Sequence, residues 1–296
     1  MKDHAVINNC GSVALDSLAL LTYEQFAEGV QDLLKNKAQV AAYFATPPEG
    51  DSPDHEIFAV LGQNDTQQLT VLRGKLPRSF QSLTPQCPQL HLFEREIAEQ
   101  YGLVPEGHPW LKPARFHAVW EGSEDAWQRD PKRHPVPGEM DFFKVEGEEI
   151  HEVAVGPVHA GVIEPGHFRF QCFGEQVLSL EISLGFQHRG IEQLLTGGPH
   201  PATSKQIEAI AGDTTIGHMT AYSQALESLS GSTVSPRAHR IRAIALELER
   251  LANHVGDFGA LAADVGFLPT SAFCGRLRGD YLNRSAAICG STVLAP

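Results

Sequence analysis

Apolar and polar residues alternate along this chain in two rhythms, and the rhythm changes near the middle. In the first third, Phe26, Ala27, Val30, Leu33 and Leu34 fall on one helical face behind a Thr22–Gln25 capping-box signal. Val40 to Phe44 reads as a strand ended by Pro47, Pro48, Gly50 and Pro53. Glu56–Leu61 and Leu69–Leu72 read as a hairpin across Gly62–Thr66. A second helix carries Leu90, Phe93 and Ile97 and should stop near Gly102.

Further on, Phe168, Phe170 and Cys172 alternate with polar residues, Gly174 turns the chain, and Leu178, Leu180, Ile182 and Leu184 alternate again. This predicts a two-stranded antiparallel ribbon with one buried face. Beyond Ser204 the period becomes helical. Ser235–Pro236 is an N-cap followed by proline at the first helical position, and Ile241, Ile244, Ala245, Leu248, Leu251, Ala252, Val255 and Phe258 trace one stripe. That long helix is expected at the centre of a helical bundle. After the helical segment from Arg276 to Cys289 nothing resembles a closing element, so the bundle is expected to be incomplete as given.

The fold class expected is α+β. A small α/β domain spans 1–120, and a proline-bearing linker spans 121–150. From 151 to 296 a β-ribbon leads into an α-helical bundle. The length of 296 residues suits two domains, and 42% hydrophobic with 20% charged residues suits folded ones. A net charge of −13 excludes nucleic-acid binding and direct adhesion to anionic lipid. No apolar run reaches the ~20 residues a membrane span needs, so membrane attachment is expected to run through a partner protein. Five scattered cysteines without a CxxC fit a reducing compartment rather than a disulfide framework.

Several clusters can carry chemistry. His159, Glu164 and His167 share a Gly/Pro-rich loop before the ribbon. They fit solvated surface histidines, or imidazoles presented for proton transfer. His188-Arg189-Gly190-Ile191-Glu192 marks a strand-to-helix junction, where Arg189 and Glu192 fit either helix capping with a surface ion pair or the tuning of a redox site. Ala211-Gly212-Asp213-Thr214-Thr215-Ile216-Gly217-His218 interrupts a helical stretch. Either the helix breaks there, or its small residues admit a neighbour or ligand, with His218 as a satisfied core histidine or a site residue. Glu247, Arg250, His254 and Asp257 share a helical face that reads as solvated, and no third convergent ligand makes it a metal site.

Taken in order, these motifs resemble a known family. Glu94-Arg95-Glu96, Gly102-Leu103 and Gly107-His108-Pro109-Trp110-Leu111 resemble the C-type subunit of respiratory complex I. GPVH from Gly156, EPGHFRF from Glu164, HRGIE from His188, and the helices around His218 and Arg250 resemble two proteins. These are the D-type subunit of complex I and the large subunit of energy-converting (group 4) nickel–iron hydrogenases. The resemblance implies a fused C/D-type subunit of an NADH–quinone oxidoreductase-like complex, a setting in which NAD and quinone are bound. It implies a peripheral position on the cytoplasmic side of the membrane. The partners implied are a small iron–sulfur subunit and membrane subunits reached through protein contacts.

By position, His167 matches the loop histidine assigned to quinone, Arg189 the arginine facing the partner's cluster, and Glu192 a proton-transfer glutamate. With His218, His167 and Glu192 form the expected catalytic set. His159, Arg189, Gly212 and Thr214 would line the cofactor cavity, with no covalently held cofactor and no metal. The hydrogenase CxxC falls on Ala211 and Thr214, and the quinone-facing tyrosine of complex I falls on Gly212. Neither a methyl nor a hydroxyl supplies the soft thiolate nickel requires. Two readings follow: an oxidoreductase component that delivers electrons to quinone or another acceptor, and a non-catalytic coupling subunit. An active nickel–iron hydrogenase is disfavoured.

Overall fold

A computed structural model describes residues 4–48, 54–120, 124–129, 135–157 and 165–289. The chain divides into two compact units, Met1–His188 and Arg189–Pro296. The first contains β1 (Ala5–Asn8), β2 (Leu20–Leu21), α1 (Tyr23–Lys35), β3 (Gln39–Thr46), β4 (His55–Gln63), β5 (Gln68–Leu76), β6 (Ser79–Gln81), α2 (His91–Tyr101), β7 (Val104–Glu106), β8 (Ile150–Val155), β9 (His167–Phe173) and β10 (Gln176–Ser183). The second contains α3 (Ile191–Leu194), α4 (Thr203–Glu208), α5 (Thr215–Ser230), α6 (Pro236–Asp264) and α7 (Leu268–Cys289). Among the described residues all strands fall in the first unit, with α1 and α2, and the second unit is helical, which makes the chain α+β.

Local chemistry sets the boundaries in the first unit. Thr22 accepts from the Gln25 N–H and Gln25 reaches back to the Thr22 N–H, so α1 starts where two orphan donors are satisfied. Gly102 ends α2 in the left-handed conformation, at φ 65°. Strands β1, β5, β4 and β3 lie side by side, antiparallel in each pair, with the short β2 parallel to β5. Phe26 and Val30 of α1 and Ile97 of α2 close one core with Tyr43, Ile57, Leu61 and Leu76 of the sheet.

Helix α2 also buries charge. Glu94 is 0% exposed and accepts from Ser82 Oγ (2.5 Å), the Leu83 N–H (2.7 Å) and Thr84 Oγ1 (2.6 Å). One turn on, the buried Glu99 accepts from the N–H groups of Ala114, Arg115 and Phe116 at 3.1, 2.8 and 2.8 Å. Between them Arg95 donates to the carbonyls of Lys112 and Pro113, both at 2.6 Å. The helix thus clamps two irregular segments whose backbone groups would otherwise be buried without partners.

The ribbon corrects the sequence-based expectation twice. It has three strands, ordered β10-β9-β8, because Ile150–Val155 adds one whose alternation His151 and Glu152 conceal. Its buried face is the polar one. Val153, Phe170 and Leu180 share a row, as do Val155, Phe168 and Ile182, yet Leu180 is 41% and Ile182 47% exposed. The opposite rows carry Gln171, Glu181 and Ser183, all buried. A strap before β8 explains this: the Phe143 N–H donates to Glu181 (2.6 Å) and the Val145 N–H to Gln171 (3.4 Å). Lys112 pairs with the other oxygen of Glu181. Backbone donors need acceptors, so the strap selects the polar face.

In the second unit, Ser235 caps α6 by accepting from the Ala238 N–H, as its sequence predicts. The predicted apolar stripe is only partly covered: its Ala245 and Ala252 are buried, but Ile244, Leu251 and Phe258 are exposed, Phe258 by 65%. The buried positions of α6 are Ala245, Glu249, Ala252, Gly259 and Ala262. Small residues let α7 approach closely, and a β-carbon on Gly259 would sit 3.0 Å from Cys274 Cβ. Glu247 and Arg250 remain solvated, as expected.

Glu94→Ala leaves two hydroxyls and one buried amide without their acceptor, and is expected to lower unfolding stability by at least about 2 kcal/mol. Glu96→Ala removes a half-buried pair with Arg115 and should cost about 1 kcal/mol or less, well below the Glu94 change. Denaturant midpoints at unchanged slope measure both.

Candidate functional site

In the second unit the two motifs flagged by sequence meet at one turn. Gly190, at φ 67°, lets the chain enter α3 directly after Arg189 and places Glu192 in the first helical turn. The Arg189 guanidinium donates to the Ile210 carbonyl at 2.5 Å. It therefore caps the end of the α4 segment rather than forming a surface ion pair. Past Ile210 the helical path breaks into a 3-10 turn, Gly212–Thr214, before α5 begins. Of the two alternatives for this stretch, the broken helix is the one observed.

Three side chains that the sequence reading did not single out hold that turn from behind. Glu249, on α6 and 4% exposed, accepts from the Ile216 N–H (2.7 Å) and the Gly217 N–H (3.0 Å). These are orphan donors of the first turn of α5, a helix that no N-cap side chain caps. Asn253, one turn along α6, donates to the Asp213 carbonyl at 2.7 Å. Arg278 of α7 reaches the Asp213 carboxylate at 3.5 Å. Its path crosses Gly256, where a β-carbon would lie 3.2 Å from the Arg278 side chain. Gly217 is equally constrained, since a β-carbon there would lie 2.7 Å from Thr214 Cγ2.

The outward surface of the turn is Gly212, Asp213 and Thr214, all exposed, with His218 beside them. No atom lies within 4 Å of a β-carbon position on Gly212. His218 Nδ1 sits 2.8 Å from the Thr214 carbonyl, so this nitrogen donates and the Nε2 lone pair points elsewhere. The turn can offer a hydroxyl, a carboxylate and an imidazole nitrogen. Thiolates are not among its groups: Cys274 is buried on α7, and Cys10, Cys87 and Cys172 lie in the first unit. Among the described residues no three His, Cys, Asp or Glu side chains group to hold a metal ion.

His167 belongs to the first unit, at the start of β9. Its Nε2 accepts from Arg169 Nε at 3.1 Å and its Nδ1 lies 3.4 Å from the Gly156 carbonyl. Arg169 also pairs with Glu152 and stacks 4.3 Å from the Phe142 ring centre. His159 and Glu164 lie outside the described residues. Within one unit, then, the structure gathers Arg189, Gly212, Thr214 and His218 around the turn, while Glu192 stands on the short helix that follows Arg189.

The first unit has a cleft of about 640 Å³ between the start of α2 and residues 184–188. Leu92, Phe93 and Leu184 form apolar walls, and Glu96, Arg115 and His188 its polar edge. His188 stacks on His117 with ring centres 4.3 Å apart and planes 12° from parallel.

Residues 24–139 match the family described as respiratory-chain NADH dehydrogenase, 30 Kd subunit. Over 198 residues the chain is 32% identical to hydrogenase-4 component G of Escherichia coli (strain K12), covering 64% of this chain and 36% of that protein. It is 32% identical over 197 residues to formate hydrogenlyase subunit 5 of the same organism, covering 64% and 35%. It is 27% identical over 223 residues to the NADH-quinone oxidoreductase C/D subunit of Bacteroides thetaiotaomicron, covering 68% and 42%. The chain spans little more than a third of the length of the hydrogenase relatives it matches.

Burial is the first cause holding His117 below the ordinary histidine range, followed by Arg115 and His188; burial likewise lowers His55, His91 and His108. A lowered folded-state value means the folded form prefers the neutral ring. Its contribution is complete above about pH 6.5 and fades as pH falls below that. Stability of the first unit should therefore drop on acidification below about pH 6.5. In His117→Phe the acid limb should be shallower, as measured by unfolding midpoints across pH.

Proposed function

We propose, for a chain whose residues 24–139 match the 30 Kd subunit family of respiratory-chain NADH dehydrogenase and which is similar to C/D-type subunits and hydrogenase components, a role as the peripheral-arm subunit of a membrane-associated oxidoreductase complex. In this reading 1–120 is the C-type part, 121–150 the linker and 151–296 the D-type part. A partner subunit holds an iron–sulfur cluster on the cytoplasmic side of the membrane. Electrons leave that cluster for quinone or another acceptor beside the Gly212–Thr214 turn. Among the described residues no helix is long and apolar enough to cross a membrane, so membrane subunits would be reached through protein contacts.

The observation that carries the reading is the turn itself. Arg189, Asn253 and Glu249 hold it in one conformation, and the family resemblance implies that Ala211 and Thr214 occupy the positions of nickel-binding thiolates. A fixed, outward-facing polar turn supports binding of an acceptor better than it supports a mere spacer. Arg189 supplies positive charge that favours reduction of a nearby centre. His218, with Nε2 directed away from its anchoring carbonyl, takes and returns the proton that accompanies the electron. Glu192 extends the proton path, and the family resemblance assigns His167 a further proton-handling role and His159, with Gly212 and Thr214, a cofactor-binding one. The alternative is a non-catalytic coupling subunit, favoured by the lost thiolates.

Purified complex containing this chain is expected to reduce a soluble quinone analogue. His218→Ala should lower kcat by about 10²-fold or more, the usual contribution of a general acid–base, at unchanged complex assembly. No quinone reduction by intact complex, or full turnover in His218→Ala and His167→Ala alike, would leave the coupling role standing instead.

A further inference from the structure

The buried carboxylate of Glu249 has a role that the electron-transfer reading does not itself assign. A glutamate 4% exposed on a face otherwise made of Ala245, Ala252, Gly259 and Ala262 is anomalous, because burying a charge is costly unless it is hydrogen-bonded. Its two oxygens take one amide each, Ile216 N–H at 2.7 Å and Gly217 N–H at 3.0 Å. Those amides open α5, where the helix dipole favours negative charge. Immediately before them lies the turn whose exposed surface forms the candidate site, and immediately after them His218. Four residues along α6 from Glu249, Asn253 holds the same turn by its Asp213 carbonyl.

We propose that Glu249 is a positioning residue and an internal counter-anion. It occupies the N-terminal amides of α5, fixes Gly212–Thr214 and His218 in one geometry, and closes that helix end to anionic ligands. An acceptor beside the turn is then selected as a neutral molecule. The amides that would bind a carboxylate or phosphate are already taken from behind, and the charge the turn itself carries outward is the Asp213 carboxylate, with Arg278 at 3.5 Å from it. Glu249 touches no ligand and acts through the turn. The inference deepens the proposed function, and its selectivity part rests on that reading; its structural part does not.

Hydrogen exchange on the full chain, in whatever complex it is purified, tests it with formate as the probe anion. Glu249→Gln keeps the volume but leaves only one accepting oxygen, so one of the two amides, Ile216 or Gly217, should exchange about ten-fold or more faster while the other stays slow. In Glu249→Ala both should be fast, and formate should slow both saturably; in the unsubstituted chain formate should change neither. If Glu249→Ala does not fold, Glu249→Gln decides alone. Two slow amides in Glu249→Gln would reduce Glu249 to a space-filling role and overturn the proposal. Formate slowing these amides in the unsubstituted chain would overturn the closure. Absence of quinone reduction would sink the functional reading while leaving the exchange result intact, so the two failures are distinguishable.

Discussion

Buried carboxylates that spend their charge on backbone amides are the constraint on which this structure depends. Glu94, Glu99 and Glu249 are each withdrawn from water, and each accepts at least one backbone N–H from a segment distant in the chain. The arrangement is demanding, since desolvating an anion is repaid only when its lone pairs are filled with good geometry. It is also specific. A carboxylate satisfied by two or three particular amides fixes the segment carrying them more tightly than apolar packing does, because only one register supplies all the donors.

The same logic explains why two faces are opposite to what alternation implies. The ribbon buries Gln171, Glu181 and Ser183 because the strap over residues 141–145 brings backbone donors that need acceptors. Helix α6 packs through Ala245, Ala252, Gly259 and Ala262 because a close approach to α7 leaves no room for Leu or Phe. In both cases the large apolar side chains are displaced outward, where Leu180, Ile182 and Phe258 stand exposed.

At the candidate site the side chains from Ala211 to Thr214 are two methyl-bearing groups and one carboxylate, with a single hydroxyl on Thr214. Ala211 and Thr214 cannot hold a soft metal, yet the turn they frame remains tied to α6 through Asn253 and Glu249, to α7 through Arg278, and to the preceding junction through Arg189. What is retained is a rigid polar surface with one imidazole, one hydroxyl and one carboxylate.

The sequence by itself determined the local features. The Thr22–Gln25 capping box, the hairpin across 62–66, the Gly102 stop, the Ser235 cap and the glycine-assisted entry at Gly190 all depend on residues close in the chain, and all appear as expected. The order of motifs also pointed to the relatives, since several short matches in sequence specify a family where one does not. Tertiary structure alone decided which faces are buried, that Ile150–Val155 joins the ribbon, and that Glu94, Glu99 and Glu249 serve backbone amides 11 to 33 residues away. Alternation records the polarity of a face, not what will cover it. A glutamate inside a stripe of alanines and glycines is the one sign in the sequence that a distant donor must exist, and only the fold says which.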